Sequence, residues 1–321
     1  MRPSAAAITL ALMLALSSLA HAGPIVDRVK AAGVIRCGGV PRPGLVGQSS
    51  NGAPSGLYLD LCRAIGATLL GPEGRIEFHP YDSDKAFARV AEGADDLFFL
   101  DGSDIADHRL AGVAALGPAV YFVSTAAMVH GDSAVRQLSD LAGKSICFYQ
   151  GDKAHLTLEA AMGARRLDFV RMGYMEYGEL HDAYNAQICQ VQVGESGDLA
   201  AARLEERAAQ PSRILVEPLA TSPFSPRLRQ ATRNGRRLPP GPSTPCNAPS
   251  SRRRPGRRQV FRPWRSRGET SASPSKRVVG AAGSYADIYA HNLGEGSPLE
   301  LPRGPNAPSE LGGLFVTPYR E

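Results

Sequence analysis

Residues 56–71, GLYLDLCRAIGATLLG, and residues 75–81, RIEFHPY, form the stretch that decides the fold. The first part has apolar residues at helical spacing, and the second has the length and apolar content of a strand. The apolar helix positions are Leu57, Leu61, Ala64, Ile65 and Leu69. A strand-like GVIRCGGV precedes this stretch, and a helical DKAFARVAEG, closed by Gly93, and a strand-like DDLFFL follow it. Because strands and helices alternate, the sequence predicts a mainly parallel sheet covered by helices.

A second unit of the same kind follows. TAAMVH (125–130), SICFY (145–149), DFVRMG (168–173) and ICQVQVG (188–194) are typical of strands, and the segments between them have helical spacing. SGDLAAARLEERAAQ (196–210) predicts a helix with Leu199, Ala202 and Leu204 turned inward. The sequence therefore indicates two successive α/β units of about a hundred residues each.

The N-terminus has the pattern of a secretory signal peptide. Basic Arg2 precedes an apolar run over residues 5–19, and Ala20-His21-Ala22 matches an A-x-A cleavage site. The apolar run is shorter than the roughly twenty residues that a transmembrane helix needs. We expect export and cleavage after Ala22.

Export changes what the five cysteines mean, because disulfides persist outside the cytoplasm. Cys246 lies alone, and the other four fall in patterned sequence, so four cysteines can pair and one is left over. The four are Cys37, Cys62, Cys147 and Cys189. Their spacing alone leaves the connectivity open.

Residues 224–277 break the α/β pattern. They contain nine Pro, fourteen Arg, one Lys and one Glu, so this segment carries a charge of +14 in a chain whose net charge is +5. The rest of the chain is acidic, which argues against nucleic-acid binding throughout. The composition predicts a disordered, aberrant segment.

Three interpretations compete for this segment. It could bind nucleic acid or another anionic surface through its Arg residues, with Phe261 and Trp264 stacking on bases. It could be a solvated insertion without a partner. The third interpretation, translation out of frame in a GC-rich gene, accounts best for the Arg, Pro, Gly, Ala and Ser content, and we favour it.

Four stretches resemble a known family in the expected order. They are VKAAGVIRCGGV (29–40), GLYLDLCRAIGATLLG (56–71), AVRQLSDLAGKSICFYQG (134–151) and VVGAAGSYADIYAHNLGEGSPLELPRGPN (278–306). These stretches are similar to the periplasmic solute-binding proteins of polar amino-acid ABC transporters, family 3, and within it to the general L-amino-acid-binding branch. The resemblance covers roughly residues 24–222 and 278–321.

The resemblance implies an α/β two-lobed periplasmic-binding-protein (Venus-flytrap) fold of type II. The first lobe would be discontinuous, with a first part at 24–124, a return at 221–223 and a C-terminal part and tail at 278–321. Residues 125–220 would form the second lobe. Residues 224–277 replace helices that complete the first lobe in the family, so we expect that lobe to be incomplete and weakened. The family cysteines imply the pairs Cys37–Cys62 and Cys147–Cys189.

The same resemblance implies a set of ligand-binding residues. Arg109, in GSDIADHRL, matches the family's carboxylate-binding Arg, whose planar guanidinium suits a carboxylate. Glu195 falls on the position of the acid that binds the ligand's ammonium group. A surface Arg and a helix-capping acid are the structural alternatives for these two residues.

Two departures from the family bear on the ligand. Gly151-Asp152-Lys153 stands where the family has a Gly-Thr-Thr loop, and Asp104 and Ala106 replace Ser or Thr before the Arg. Asp152 suits a helix start but brings an anion to a carboxylate site. These changes suit a ligand without a free carboxylate or one with an additional cationic group.

Other chemistry finds little support. VGESGD is a near miss to a nucleophile elbow, no HExxH or CxxC occurs, and there is no Walker A loop or GxGxxG. We therefore expect no enzyme activity, no cofactor and no metal. The predicted function is a monomeric periplasmic protein that captures a small polar or amino-acid ligand and delivers it to an inner-membrane ABC permease, without binding nucleic acid. The alternatives are an enzyme on the same scaffold, such as a dehydratase, and a basic protein that binds anions or nucleic acid through 224–277.

Overall fold

A computed structural model describes residues 24–49, 52–71, 74–99, 114–206, 212–229 and 283–315. This part of the chain has two main sheets, one in each of two lobes. Both sheets mix parallel and antiparallel strand pairs, so the predicted mainly parallel arrangement is wrong. The predicted alternation of strands and helices is confirmed, and so is the two-lobed α/β class. The signal-peptide residues, Asp104, Arg109, Cys246 and most of the Arg-rich segment lie outside the described residues.

The first lobe is built on a five-stranded sheet with the order β4-β1-β5-β13-β6. Its strands are β1 (Val34–Gly39), β4 (Arg75–Pro80), β5 (Leu97–Phe99), β6 (Ala114–Leu116) and β13 (Pro226–Arg229). Strand β1 runs parallel to β4 and β5, whereas β13 is antiparallel to its neighbours β5 and β6. A short hairpin of β2 (Gly47–Gln48) and β3 (Pro54–Ser55) projects from the loop after β1.

Helices lie on both faces of this sheet. One face packs against α1 (Pro24–Ala32), α2 (Leu57–Leu70) and α7 (Tyr285–Asn292), and in the described part of the chain a large buried cluster joins them to the sheet. The other face packs against α3 (Ser83–Glu92), where the described buried residues are Ala86, Val90 and Phe98. Gly93 ends α3 in the left-handed conformation at φ 67°, as the sequence predicted.

The second lobe is built on a six-stranded sheet in which β11-β7-β10-β8-β9 are neighbours and β12 also pairs with β7. Its strands are β7 (Tyr121–Val129), β8 (Ser145–Tyr149), β9 (Val170–Tyr174), β10 (Val191–Glu195), β11 (Arg213–Ile214) and β12 (Ala220–Phe224). Helix α4 (Ala154–Arg165) covers one face, and α5 (Tyr177–Asn185) and α6 (Ser196–Glu205) lie on the other. Side chains alternate between the two buried clusters along the strands, as in any sheet that is covered on both faces.

Strands β7 and β12 link the lobes. Ala220–Phe224 pairs with Tyr121–Thr125 in antiparallel register, and the chain then continues from β12 directly into β13 of the first sheet. Asn306 fixes the C-terminal region to this connection, because its side chain accepts from the Phe122 N–H at 2.7 Å and donates to the Phe122 carbonyl at 2.9 Å. Two strand connections between lobes are the geometry that a hinge requires.

Both predicted disulfides are confirmed. Cys37 pairs with Cys62 across a Cα–Cα distance of 6.4 Å, and Cys147 pairs with Cys189 across 5.8 Å. Each bond ties a central strand to the chain at or after a covering helix of its own lobe.

Two local predictions need correction. The composition predicts no regular structure over 224–277, but Phe224 ends β12 and Pro226–Arg229 is a strand of the first sheet. Leu204 is 53% exposed rather than buried, whereas Ala200, one turn earlier, is buried. The C-terminal helix α7 begins at Tyr285, where Ser284 and Asp287 form a capping box.

Candidate functional site

Glu195 lies at the carboxyl end of β10, where the strand passes into α6. Val191 and Val193 are buried and fix the strand, while Glu195 takes an extended conformation as the N-cap residue. Its side chain makes no capping hydrogen bond to α6. The structural alternative for Glu195, a helix-capping acid, therefore does not hold in this geometry.

The carboxylate of Glu195 instead accepts from the guanidinium of Arg42. Arg42 lies in the loop after β1 of the first lobe, in a tight turn whose Arg42 N–H donates to the Val46 carbonyl at 3.0 Å. The two side chains are 33% and 28% exposed. An ion pair thus joins the two lobes at the edge of their sheets, where a cleft ligand would lie.

The lobes touch along this seam. Pro43, next to Arg42, faces Gly197 in the first turn of α6, and a Cβ at Gly197 would lie 3.6 Å from the Pro43 carbonyl. The cavity between them measures about 10 Å³. Arg203, farther along α6, donates to the Leu299 carbonyl at 2.7 Å, so a second polar contact links α6 to the C-terminal region.

Asp198, in the first turn of α6, lies beside Glu195 on the seam. Burial raises the pKa of its carboxyl group above the ordinary value, and the nearby Asp152 carboxylate raises it further. Arg42 and His181 act in the opposite direction but do not cancel these effects. A carboxylate with a raised pKa at a cleft is a feature typical of binding and catalytic sites.

The loop after β8 brings Asp152 to the same edge. One oxygen of Asp152 accepts from the Ala154 N–H at 2.7 Å, so Asp152 pairs with the first N–H of α4 although Lys153 is the N-cap residue. The other accepts from the Tyr177 hydroxyl at 3.0 Å, and the Tyr177 ring stacks on that of Tyr149 at 4.2 Å between centroids. A Cβ at Gly151 would clash with the Tyr149 ring, so a larger residue there would have to displace that ring.

Burial raises the pKa of Tyr177 well above its ordinary value, and three carboxylates contribute to the same shift. They are Asp152, Asp198 and Glu195, named in order of their effect. All three carboxylates therefore raise the pKa of the same hydroxyl group, that of Tyr177 at the edge of the second sheet. The local field favours positive charge and N–H donors.

The structure thus brings together some of the predicted site residues and not others. Glu195, Gly151 and Asp152 lie at the carboxyl edge of the second sheet, with the exposed Lys153 beside them. Arg109 and Asp104 lie outside the described residues.

Sequence reasoning missed four residues of this region, namely Arg42, Tyr177, Gln192 and Asp198. Arg42 stands in PRPG, a turn sequence whose position directly after the first strand was a usable signal. Asp198 lies in the first turn of the predicted helix 196–210, where an acid is typical of any helix start. Tyr177 begins a helix and Gln192 lies within a strand, and neither position carries a pattern that indicates a site.

None of the helices among the described residues is long and apolar enough to cross a bilayer. No group of three or more His, Cys, Asp or Glu side chains in these ranges is arranged to hold a metal ion.

Comparison with known proteins gives relatives over nearly the whole chain, although no protein-family model matches the sequence. The general L-amino acid-binding periplasmic protein AapJ of Rhizobium johnstonii is 23% identical over 328 residues and covers 96% of each chain. The glutamate/glutamine/aspartate/asparagine-binding protein BztA of Rhodobacter capsulatus is 23% identical, over 95% of this chain and 96% of its own.

A solved structure has the same fold. A periplasmic binding protein of an ABC transporter from Brucella ovis, with glutathione bound, superposes with a TM-score of 0.60 and 19% identity, over 91% of this chain and 98% of its own. The curated homologues of this chain are therefore periplasmic amino-acid-binding proteins of ABC transporters, and the chain has their two-lobed α/β fold.

Proposed function

We propose that this chain is the periplasmic substrate-binding component of an amino-acid ABC transporter and captures a small polar or amino-acid ligand between its lobes. The observation that carries the proposal is the ion pair of Arg42 and Glu195 across the seam. One lobe offers a guanidinium and the other a carboxylate. These are the partners that the carboxylate and the ammonium group of a zwitterion require.

The ion pair also suggests how binding would proceed. The ligand's ammonium group would take the place of the Arg42 guanidinium on Glu195, and Arg42 would then be available to the ligand's carboxylate. Arg109 keeps its proposed role as a second carboxylate partner, with Gly151, Asp152, Lys153 and Asp104 around the ligand. Contacts from one ligand to both lobes would stabilise the closed form.

We place the lobe boundaries within the strands that link the two sheets. The first lobe comprises 24–124, the return at 221–223 and the C-terminal part 278–321, and the second comprises 125–220. Strands β7 and β12 cross between the lobes close to these boundaries. Whether residues 224–277 are out of frame stays a prediction.

The remaining proposals concern cellular context. The chain is exported with its signal peptide cleaved after Ala22, works in the periplasm as a monomer and delivers its ligand to an inner-membrane ABC permease. It binds without turning its ligand over, as its binding-protein homologues would lead one to expect.

The proposal is tested by isothermal titration calorimetry of the mature protein with a panel of the twenty L-amino acids. At least one should bind unchanged, and Glu195→Gln, which keeps the side-chain shape but removes the charge, should weaken it roughly ten-fold or more. Glu179→Gln is the matched control, because Glu179 is exposed in the first turn of α5. Binding of no amino acid, or conversion of one to a product, would contradict the proposed function.

A further inference from the structure

A cavity of about 280 Å³ lies inside the second lobe, between α5 and α6 and above β10. Its polar lining residues are Tyr177, His181, Gln192, Glu195, Asp198 and Glu205. Glu195 and Asp198 also line the seam between the lobes. We call this cavity the α5–α6 groove, and it begins at the proposed ligand site and extends away from the first lobe.

Gln192 is the buried polar group of the groove. The residue is 3% exposed, and its Nε2 donates to Nδ1 of His181 at 3.2 Å. Its Oε1 atom is buried and has no hydrogen-bond partner among the described residues. Buried carbonyl oxygens are nearly always paired in folded proteins, so an unpaired one in a groove wall is suited to a donor supplied by a ligand.

Apart from His181, whose Nε2 carries the ring proton when Nδ1 accepts from Gln192, the rest of the polar lining accepts rather than donates. Glu195, Asp198 and Glu205 are carboxylates, and the Tyr177 hydroxyl at the mouth already donates to Asp152. Arg42 is on the side of the first lobe, at Glu195, so it does not line the groove. Apolar Leu180, Leu199 and Ala202 form the remaining wall, which suits an aliphatic stem.

We propose that the α5–α6 groove binds an aliphatic chain ending in an ammonium or guanidinium group, with Gln192 Oε1 and the Asp198 carboxylate as acceptors. This assignment rests on the proposed function, since the α-amino group of the same ligand would lie at Glu195. It names the preferred substrate class, which is an amino acid with a cationic side chain.

The test compares two probes on the mature protein by isothermal titration calorimetry. L-lysine and L-norleucine have the same carbon skeleton and differ only in the ε-ammonium group. L-lysine should bind roughly ten-fold tighter or more, because charge-assisted hydrogen bonds are the strong ones. Equal affinities, or a preference for L-glutamate, would overturn the groove assignment.

Two variants test whether Gln192 causes the preference for L-lysine. Gln192→Met keeps the length of the side chain and removes the carbonyl, so the preference for L-lysine over L-norleucine should fall several-fold. Gln190→Met is the matched control, since Gln190 is an exposed glutamine just before β10 and its variant should keep the preference. An unchanged preference in Gln192→Met contradicts the proposal, provided that circular dichroism shows the variant folded. If Gln192→Met does not fold, the comparison of L-lysine with L-norleucine on the unaltered protein still tests the proposal.

The outcomes separate this inference from the proposed function. If neutral amino acids bind without any advantage for L-lysine, the groove assignment fails and the proposed function stands. Putrescine, which has two ammonium groups and no carboxylate, tests the groove when no amino acid binds. Putrescine binding that Gln192→Met weakens would then support the groove alone and contradict the amino-acid function.

Discussion

The two lobes differ in how their sheets and helices are assembled from the chain. The second sheet and its helices come from neighbouring parts of the chain, described at 121–206 and 212–224, and helices bury both faces of the sheet. The first lobe collects strands and helices from residues 24–99, 114–116, 226–229 and 283–301, and the described residues bury one face far more than the other. A lobe built from contiguous chain is complete by itself, whereas the first lobe depends on segments far apart in sequence.

Truncating a core side chain should lower the free energy of unfolding more in the second lobe than in the first, and this is the largest of the expected effects. Leu158 is fully buried between α4 and the second sheet, and Leu158→Ala should lower the free energy of unfolding by about 2–5 kcal/mol. Val90 lies in the small cluster under α3, and Val90→Ala should cost about 1–2 kcal/mol, from two groups at roughly 0.8 kcal/mol each.

Urea denaturation followed by circular dichroism measures both effects. The weakened first lobe that the sequence predicts should unfold in a separate, earlier transition, so that each variant shifts the transition of its own lobe. A single cooperative transition shifted equally by both variants would contradict the comparison. A larger effect for Val90→Ala would mean that more of the chain buries this face.

Each lobe has one disulfide, so removing the two bonds in turn compares what each contributes to the stability of its lobe. They close loops with sequence separations of 25 and 42 residues. Replacing either pair by serine should cost about 2–4 kcal/mol, and the Cys147–Cys189 pair should cost more by about 0.5 kcal/mol because its loop is longer.

Thiol titration in denaturant checks the pairing directly. Without reductant one thiol, that of Cys246, should react, and after reduction all five cysteines should. Five reactive thiols before reduction would rule out both bonds. A larger loss of stability for the shorter loop would show that native-state packing, rather than loop length, decides the effect.

Replacing Asp198 should change the stability least, and the change should be an increase rather than a decrease. Burial raises its pKa, so the folded protein holds the proton more tightly than the unfolded chain does. As the pH rises from the ordinary value of 3.8 through the folded pKa, the unfolded chain ionises first and the free energy of unfolding falls. The charged form therefore weakens the fold at neutral pH.

Asp198→Asn should remove this penalty and raise the Tm at pH 7, by about 1–2 °C for each kcal/mol of penalty removed in a chain of about 300 residues. The difference from the unaltered protein should shrink as the pH falls towards 4. Asp182→Asn is the control, since Asp182 is an exposed acid of the same lobe. A lower Tm for Asp198→Asn at pH 7 would mean that the carboxylate is paired rather than penalised.

The amino-acid sequence by itself determined the local structure and the class of fold. The helical spacing of Leu57, Leu61 and Leu69, the Gly93 helix end and the alternating strands are short-range signals, and each is found in the structure. The disulfide pairs were expected from the resemblance to a family and are present. These features depend on neighbours within one element or one lobe, which a pattern of residue types can encode.

Only the tertiary structure decided which side chains meet at the cleft. Arg42 and Glu195 are 153 residues apart, and the Oε1 atom of Gln192 is buried without a partner among the described residues where α5 and α6 lie over β10. Leu204, expected inside, is exposed one residue before the end of α6, whereas Leu199 and Ala200 near its start are buried. Contacts of this kind depend on how the two sheets and their helices are oriented, and no local periodicity specifies that orientation.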